Sequence, residues 1–450
     1  MKLIYQIGRL DPQMKILKFR YKGNEYDVEL SSFALKRYFG NCARLVLIYP
    51  VSLPLNKSLI NQNSNLNDEL KKRIEKILNN KDEYLKNPTE FFILHPHNQE
   101  ANDFVLIHSI GEYEKVKFES SYDDIVLEIL FDMIERYLDC GFEEVYIDIS
   151  GGLNIYIAAL LEAVRHFSIF NRLQNWNSEK SKIYKVFSEP IIGSTSTTYE
   201  IYEVPVEFKV FYSSPIKKKD IDNYQLSRKI TESLFGDAHN RQEFKNKIQR
   251  YFKNFAVHFS AIKNATPLAN YTFEIDSSCD IEKSLREIIS LGKKKLYENW
   301  LKSPQLSKET FLKILHSLSF YKGIAKIFKC ENINPTGDCG VSLEEIKKFK
   351  KVYEVFGLNL NITFLGNEIW KLTEAKDDKN RRLKDKVSDD WKPLNEFING
   401  EGNEFNPRNF FAHAGFERTI TEVRKCNGKL YFRYMAQERD RVKDQLKDNC

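Results

Sequence analysis

The sequence predicts a chain of two parts, a Rossmann-like α/β domain at the N-terminus followed by an all-α region. Three observations support this division. In the first half, apolar runs rich in isoleucine, valine and tyrosine alternate with helical patterns, as expected for strands covered on both faces of a mostly parallel sheet. Beyond about residue 214, apolar residues recur at helical spacing instead. The charged connector 217–220 stands between the two patterns.

We therefore place a first domain at residues 1–213 and a helical region at 214–450, with an insertion at 358–400. The expected strands of the first domain are 2–7, 43–49, 104–107 and 144–149, a hairpin around Lys22-Gly23-Asn24, and two closing antiparallel strands at 183–187 and 198–205. The expected helices of the second region are 224–234, 241–259, 281–301, 308–327, 342–356 and 431–446. Residues 358–364 are compatible with a short strand.

The composition is that of a soluble protein with a mild excess of basic residues. Of 450 residues, 42% are hydrophobic, and 69 Lys and Arg against 63 Asp and Glu give a net charge of +6. That charge allows an acidic partner such as RNA without requiring one. No stretch approaches the roughly 20 apolar residues of a membrane-spanning helix, and the N-terminal apolar run is too short for a signal peptide. We expect a cytoplasmic protein that does not bind membranes.

Cysteine and histidine usage gives no indication of a metal site. The seven cysteines are dispersed and form no CxxC pair, so neither a zinc site nor a redox motif is predicted. His95 and His97 lie in a His-Pro-His segment that lacks neighbouring ligands at metal-binding spacing, and we expect it to be a surface loop. We therefore predict no metal and no cofactor.

A glycine-containing turn follows the expected strand 144–149. It reads Asp148-Ile-Ser150-Gly151-Gly152-Leu-Asn154 and opens an apolar helix. Glycine lets the backbone approach a ligand, Ser150 can cap the helix, and a helix N-terminus favours phosphate. An ordinary strand-to-helix turn explains the same residues, and neither GxGxxG nor GxxxxGK[ST] occurs in the chain.

The ends of the other strands would line the same crevice of an open α/β sheet. Gly8 and Arg9 follow the first strand, residues 50–52 follow the second, and residues 109–111 follow the third. Arg9 is the most attractive of these because it places a fixed positive charge near an expected anion site. A solvated loop arginine is the alternative.

The C-terminal region contains an arginine and a histidine five residues apart, Arg408 and His413. Asn406 and Pro407 before them are a strong helix-start signal, which puts Arg408 in the first turn. On an ideal helix, residues five apart point roughly 140° from each other. Two copies of the helix across a two-fold axis are the simplest way to bring both side chains to one phosphate. The alternative is a capped helix whose arginine and histidine have no shared role.

Together the two motifs identify a family resemblance. The D-x-[ST]-x-G-x-N pattern at 148–154 resembles a CARF domain, and the R-N-x-x-x-H pattern at 408–413 resembles a HEPN ribonuclease domain. Their order and spacing resemble the CARF–HEPN ancillary ribonucleases of type III CRISPR systems, in the Csx branch. One departure is that relatives often carry histidine where Gly151 stands, so any role of that side chain is absent here.

The resemblance implies a ligand-activated ribonuclease that forms a homodimer or a higher oligomer. Paired CARF domains would bind a cyclic oligoadenylate, most simply the tetra-adenylate, through Ser150, Gly151, Gly152 and Asn154, with Gly8 and Arg9 as further candidates. Paired HEPN domains would cut single-stranded RNA without metal and leave a 2′,3′-cyclic phosphate. In that reaction Arg408 would hold the phosphate, His413 would act as general acid or base or position the phosphate, and Asn409 would support them by hydrogen bonding.

A second hypothesis remains open at this point. The chain would be a ligand-sensing transcription regulator whose C-terminal helices form a helix-turn-helix DNA reader. The Arg408–His413 pair would then be incidental.

Overall fold

The computed structural model describes residues 1–13, 15–151, 153–177, 181–191, 193–236, 241–376, 380–398 and 404–450. Residue contacts divide the chain into two compact units. The first unit comprises Met1–Asn171, Glu179–Lys209 and Arg286–Glu309, and the second comprises Arg172–Ser178, Val210–Leu285 and Thr310–Cys450. The sequence does not foresee that Arg286–Glu309 belongs with the first unit. The domain boundary at 213/214 and the insertion at 358–400 stay predictions.

The strands of the described residues follow in chain order. They are β1 (Lys2–Ile7), β2 (Leu17–Tyr21), β3 (Asn24–Val28), β4 (Ala43–Pro50), β5 (Asp103–Ile107), β6 (Ile110–Tyr113), β7 (Val116–Glu119), β8 (Glu144–Asp148), β9 (Lys182–Ser188), β10 (Thr198–Pro205), β11 (Val341–Ser342), β12 (Lys392–Pro393), β13 (Thr421–Cys426) and β14 (Lys429–Tyr434).

The helices, again in chain order, are α1 (Ser31–Phe39), α2 (Asp68–Asn79), α3 (Lys81–Lys86), α4 (Thr89–Ile93), α5 (Tyr122–Cys140), α6 (Asn154–Gln174), α7 (Lys218–Ile221), α8 (Gln225–Phe235), α9 (Gln242–Lys263), α10 (Pro267–Thr272), α11 (Ser278–Leu296), α12 (Lys308–Cys330), α13 (Leu343–Lys348), α14 (Lys350–Phe356), α15 (Asn359–Thr373), α16 (Leu383–Lys386), α17 (Pro407–Ala412) and α18 (Arg439–Asp448). Among the described residues, none of these helices has both the length and the apolar character needed to pass through a bilayer.

An eight-stranded sheet forms the centre of the first unit. Its strand order is β3-β2-β10-β9-β8-β1-β4-β5. β9, β8, β1, β4 and β5 run parallel, which confirms the Rossmann-like prediction. β10 is antiparallel to β9 as expected, whereas β9 itself is parallel to β8. The parallel strands are covered on both faces, and residues 45–50 of β4 are all buried, which is why this run lacks polar alternation.

A buried histidine–glutamate pair joins β5 to α5 in the first unit. His108 and Glu128 are both fully buried, and His108 Nδ1 lies 2.5 Å from Glu128 Oε1. The other ring nitrogen lies 2.9 Å from the carbonyl oxygen of Asn299. Because both neighbours accept hydrogen bonds, the ring donates to both as an imidazolium. Burial opposes that charge, but the Glu128 carboxylate outweighs burial and raises the pKa of His108 to about 9.

We expect this pair to make the stability of the first unit depend on pH. A histidine whose folded pKa exceeds the unfolded value of 6.5 contributes its full stability below pH 6.5 and loses it as the pH rises through about 9. The free energy of unfolding, from urea titrations at pH 6, 7.5 and 9, should therefore fall across that range. His108→Gln should flatten the dependence. An equally steep fall in the variant would contradict the assignment.

The second unit is largely helical, as predicted, and also contains a small sheet that the sequence analysis missed. The strand order is β11-β14-β13-β12, all antiparallel. The predicted helix 431–446 is therefore wrong in its first part, because residues 429–434 form β14 and the helix begins at Arg439. Asn427 and Gly428, both with positive φ, make the two-residue turn between β13 and β14. Asn-Gly between alternating strands is a strong hairpin signal, and it indicates this sheet.

The strand considered at 358–364 is also wrong, since these residues begin α15. Gly357, in the left-handed conformation, ends α14 directly before it. The buried residues of α15 are Leu365, Glu368, Ile369 and Leu372. Their spacing of three and four is that of a helix face packed on a core. One of the four is a glutamate, and its position matters for the candidate site.

Candidate functional site

A cleft of about 700 Å³ opens at the carboxyl ends of β1, β8 and β9 in the first unit. Its described lining residues are Arg9, Leu10, Asp11, Gln13, Lys15, Leu17, Leu53, Ile149, Ser150, Leu153, Phe187, Ser188, Glu189, Pro190 and Ile191. Parallel strands in open α/β sheets place ligands at this edge. The lining combines apolar side chains with two cations, Arg9 and Lys15, and two carboxylates, Asp11 and Glu189, so it offers an apolar surface for a base and cations for a phosphate.

Ser150 is fixed at this cleft by neighbours on two strands. Its backbone N–H donates to Asp148 Oδ1 at 2.9 Å, and its Oγ accepts from the N–H of Ser188 at 2.9 Å. Ser150 therefore does not cap α6, which begins only at Asn154. The Ser150 side chain also hydrogen-bonds the Asp148 carboxyl.

Asp148 is a buried support for this loop rather than a lining residue. Its Oδ2 accepts from Ser31 Oγ at 2.6 Å, and its other oxygen holds the Ser150 N–H. Burial raises the pKa of the Asp148 carboxyl above its ordinary value, although both serine contacts work in the opposite direction. The aspartate of the motif thus fixes the backbone that presents Ser150.

Arg9 supplies a positive charge to the same cleft. Its Nη2 donates to the carbonyl oxygen of Glu29 at 2.9 Å. Its buried Nε has no hydrogen-bond partner among the described residues, and the Arg9 side chain lines the cleft. At the neighbouring position 8, close packing requires glycine, because a side chain there would overlap the ring of Tyr49.

The structure does not show the remaining predicted ligand residues at the wall of this cleft. Gly151 and Asn154 are not among the described residues that line the cleft, and Asn154 is exposed at the start of α6. A side chain at Gly151 would lie 3.6 Å from the Ile7 carbonyl oxygen, so the space there is ordinary. Gly152 lies outside the described residues. Residues 109–111 do not line the cleft either, and Ser109 instead accepts from the Ser52 N–H at 2.9 Å.

The Arg408–His413 segment is a short helix with well-defined ends. Asn406 accepts from the N–H groups of Arg408 and Asn409 at 2.9 and 3.3 Å. α17 then ends at Ala412, so His413 is its C-cap rather than a helical residue. The 140° separation of an ideal helix therefore does not apply. The backbone N–H groups of Arg408 and Asn409 already donate to Asn406. A phosphate at this helix would therefore be bound by the exposed Arg408 side chain.

A tight turn fixes His413 at the end of α17. Gly415, at φ +82°, donates its N–H to the Phe410 carbonyl at 2.9 Å. A side chain at Gly415 would come within 2.9 Å of Tyr434 Oη. Phe410 is fully buried beside Tyr434. The backbone that carries the His413 imidazole is therefore fixed both before and after this residue.

Glu368 of α15 is a site residue that the sequence analysis missed. Its Oε1 lies 3.3 Å from His413 Nδ1, an ion-pair distance, and its Oε2 accepts from Lys371 Nζ at 3.0 Å. Burial alone would raise the pKa of Glu368, but His413 and Lys371 outweigh it and lower that pKa below its usual value. A glutamate at helical spacing among apolar residues, at Leu365, Glu368, Ile369 and Leu372, is the signal that could have found it.

Chemically, the segment offers a cation, an amide and an imidazole backed by a carboxylate. An arginine binds phosphate oxygens, and a histidine can accept or donate a proton. Within the described ranges, no group of three or more His, Cys, Asp or Glu side chains is arranged to hold a metal ion.

Comparison with known proteins agrees with this arrangement. A family model described as CRISPR system endoribonuclease Csx1, CARF domain, matches residues 2–190, and one described as CRISPR system endoribonuclease Csx1, HEPN domain, matches residues 358–438. The CRISPR system endoribonuclease Csx1 of Methanocaldococcus jannaschii is 25% identical over 364 residues, which cover 77% of this chain and 75% of that protein. All described lining residues of the cleft except Ile191 lie in the first match, and Arg408, Asn409 and His413 lie in the second. The chain therefore belongs to the CARF–HEPN proteins of the Csx family.

Proposed function

We propose that this protein is a CRISPR-associated endoribonuclease that cuts single-stranded RNA at the Arg408–His413 segment when a cyclic oligoadenylate occupies the cleft of the first unit. The observation that carries the proposal is the Glu368–His413 contact, at 3.3 Å, beside an exposed arginine. The HEPN match covers residues 358–438, a part of the helical region after residue 214 in which the alternative hypothesis placed a DNA reader. The working form is a homodimer or a higher oligomer, in which two copies of the segment face one substrate.

The reaction is a transesterification within the RNA strand. The ribose 2′-oxygen forms a bond to the adjacent phosphorus, the bond from phosphorus to the 5′-oxygen breaks, and the products carry a 2′,3′-cyclic phosphate and a 5′-hydroxyl. Arg408 binds the phosphate and its developing charge. His413 transfers a proton at the 2′-oxygen or at the leaving 5′-oxygen. Asn409 supports the pair by hydrogen bonding.

The direct test is cleavage of a fluorogenic single-stranded RNA in EDTA with cyclic tetra-adenylate present. We expect the rate in excess EDTA to equal the rate in added Mg²⁺, because the acid–base and charge-stabilising groups are all side chains. Mass spectrometry of the products should show 2′,3′-cyclic phosphate ends. A strict requirement for a divalent ion would contradict the mechanism, and so would 3′-hydroxyl ends.

Glu368 acts as a positioning residue for His413 in this proposal. A carboxylate 3.3 Å from one ring nitrogen orients the imidazole. We expect Glu368→Gln to lower kcat by roughly 10- to 100-fold with little change in the KM for RNA. Glu354→Gln, at an exposed position of α14, is the matched control and should leave both constants unchanged. A rise in KM with unchanged kcat would instead assign Glu368 to substrate binding.

A further inference from the structure

A second cleft, of about 550 Å³, lies in the second unit beside α15. Its described lining residues are Glu368, Lys371, Leu372, Ala375, Lys376, Arg381, Leu383, Lys386, Leu394, Glu396, Phe397, Ile398, Phe416 and Arg418. The volume is in the range of sites that bind small ligands or single groups of a polymer. Of these residues, Glu368 and its partner Lys371 also belong to the candidate site around His413.

The lining of the cleft is strongly basic. It holds five lysine and arginine side chains against two glutamates, so cations exceed anions by three. Such an excess is large compared with the net charge of +6 for the whole chain. Lys376 and Arg381 are exposed at its rim. A concave surface of this kind concentrates anions, and the phosphates of nucleic acids are the polymer anions that most need it.

The same cleft also has an apolar floor with an accessible aromatic ring. Phe416 is 1% exposed and packs on Phe432. Phe397 is only partly buried, and its carbonyl oxygen accepts from Lys386 Nζ at 2.6 Å. An accessible ring beside lysine and arginine side chains is the combination on which unpaired bases stack while the cations hold the backbone.

Glu368 connects this cleft to the Arg408–His413 segment. It lines the cleft and at the same time lies 3.3 Å from His413 Nδ1. The Glu368 side chain therefore lies between the cleft and the His413 imidazole. A strand whose phosphate is at His413 has its neighbouring nucleotide within reach of the cleft, since consecutive phosphates of a single strand lie only a few ångströms apart.

We infer that this basic cleft binds the nucleotide next to the scissile phosphate of single-stranded RNA, with the base on Phe397 and the phosphates at Lys376 and Arg381. The inference rests on the proposed function for the identity of the reaction, but the binding it describes is measurable without cleavage. It also predicts that substrate affinity and catalysis are separable, because the cleft binds RNA while His413 transfers the proton.

The test is fluorescence anisotropy with a short fluorescein-labelled 2′-O-methyl RNA, which cannot be cut because the 2′-oxygen is blocked. The variants are Phe397→Ala and the double variant Lys376→Gln, Arg381→Gln. The control is Lys384→Gln, Lys392→Gln, which removes two exposed lysines of the same segment that do not line the cleft. Affinity is measured between about 50 and 200 mM salt, and thermal melting verifies that each variant is folded.

We expect Phe397→Ala to weaken binding about tenfold. The double variant should weaken it by a similar factor and reduce the salt slope by about 1.4, the value for two lost phosphate contacts on a single strand. The control should match the unmodified protein. Cleft variants that bind as the control does would overturn the inference, as would failure of the unmodified protein to bind the probe. If the unmodified protein binds the probe through this cleft yet never cuts RNA, the proposed function fails, while the cleft remains a binding site for single-stranded RNA.

Discussion

His413→Ala is expected to abolish RNA cleavage while leaving activator binding unchanged. His413 is the proton-transfer group of the proposal, and loss of such a group typically costs roughly 100- to 10,000-fold in rate. The cleft for the activator is built from residues of the first unit alone. Initial rates on a fluorogenic RNA and calorimetric titration with cyclic tetra-adenylate measure the two properties separately.

The design of this variant limits its effect on folding. The His413 side chain is partly exposed, and the turn that follows is fixed by backbone hydrogen bonds and by Gly415. The melting temperature should therefore change little. Retention of full cleavage by His413→Ala would contradict the proposed site. Loss of both cleavage and activator binding in a folded protein would contradict the separation of the two sites.

Arg9→Ala is expected to raise the activator concentration that gives half-maximal cleavage by roughly 10- to 100-fold. A hydrogen bond from a guanidinium to a phosphate is among the stronger single contacts, at about 1.5–3 kcal/mol. Arg9 lines the cleft, and the hydrogen bond from its Nη2 to the Glu29 carbonyl occupies one of the N–H groups of its guanidinium. The maximal rate at saturating activator should be preserved, because Arg9 belongs to the first unit and not to the Arg408–His413 segment.

Arg20→Ala is the matched control for Arg9→Ala. Arg20 is an exposed arginine of the same unit that donates to Glu25 and does not line the cleft. It should leave the half-maximal concentration unchanged. An activation curve for Arg9→Ala that superimposes on that of Arg20→Ala would remove Arg9 from the ligand site.

The fold of the first unit was predictable because burial dominates its sequence pattern. The runs that became β1 and β4 lack polar alternation, and both are covered on two faces. The sheet of the second unit was missed because β13 and β14 carry Arg424, Lys425 and Arg433 among their apolar residues. Their Asn427-Gly428 turn was the signal to weigh above the surrounding helical patterns.

The candidate site was only partly predictable for a related reason. Local motifs identify Arg408 and His413, and Asn406 with Pro407 correctly indicates where their helix begins. The end of α17 depends on the positive φ of Ala414 and Gly415, which the sequence analysis did not foresee. Glu368 precedes His413 by 45 positions, so only tertiary packing brings the two together.

The most direct test of ligand-activated RNA cleavage compares the rate of single-stranded RNA cleavage with and without cyclic tetra-adenylate. A ligand changes activity only through its different affinity for the inactive and active states. We predict slow cleavage by the protein alone and a rise of at least about 100-fold at saturating ligand, which corresponds to a coupling of about 2.7 kcal/mol. Equal rates with and without cyclic oligoadenylates of any ring size would contradict the account.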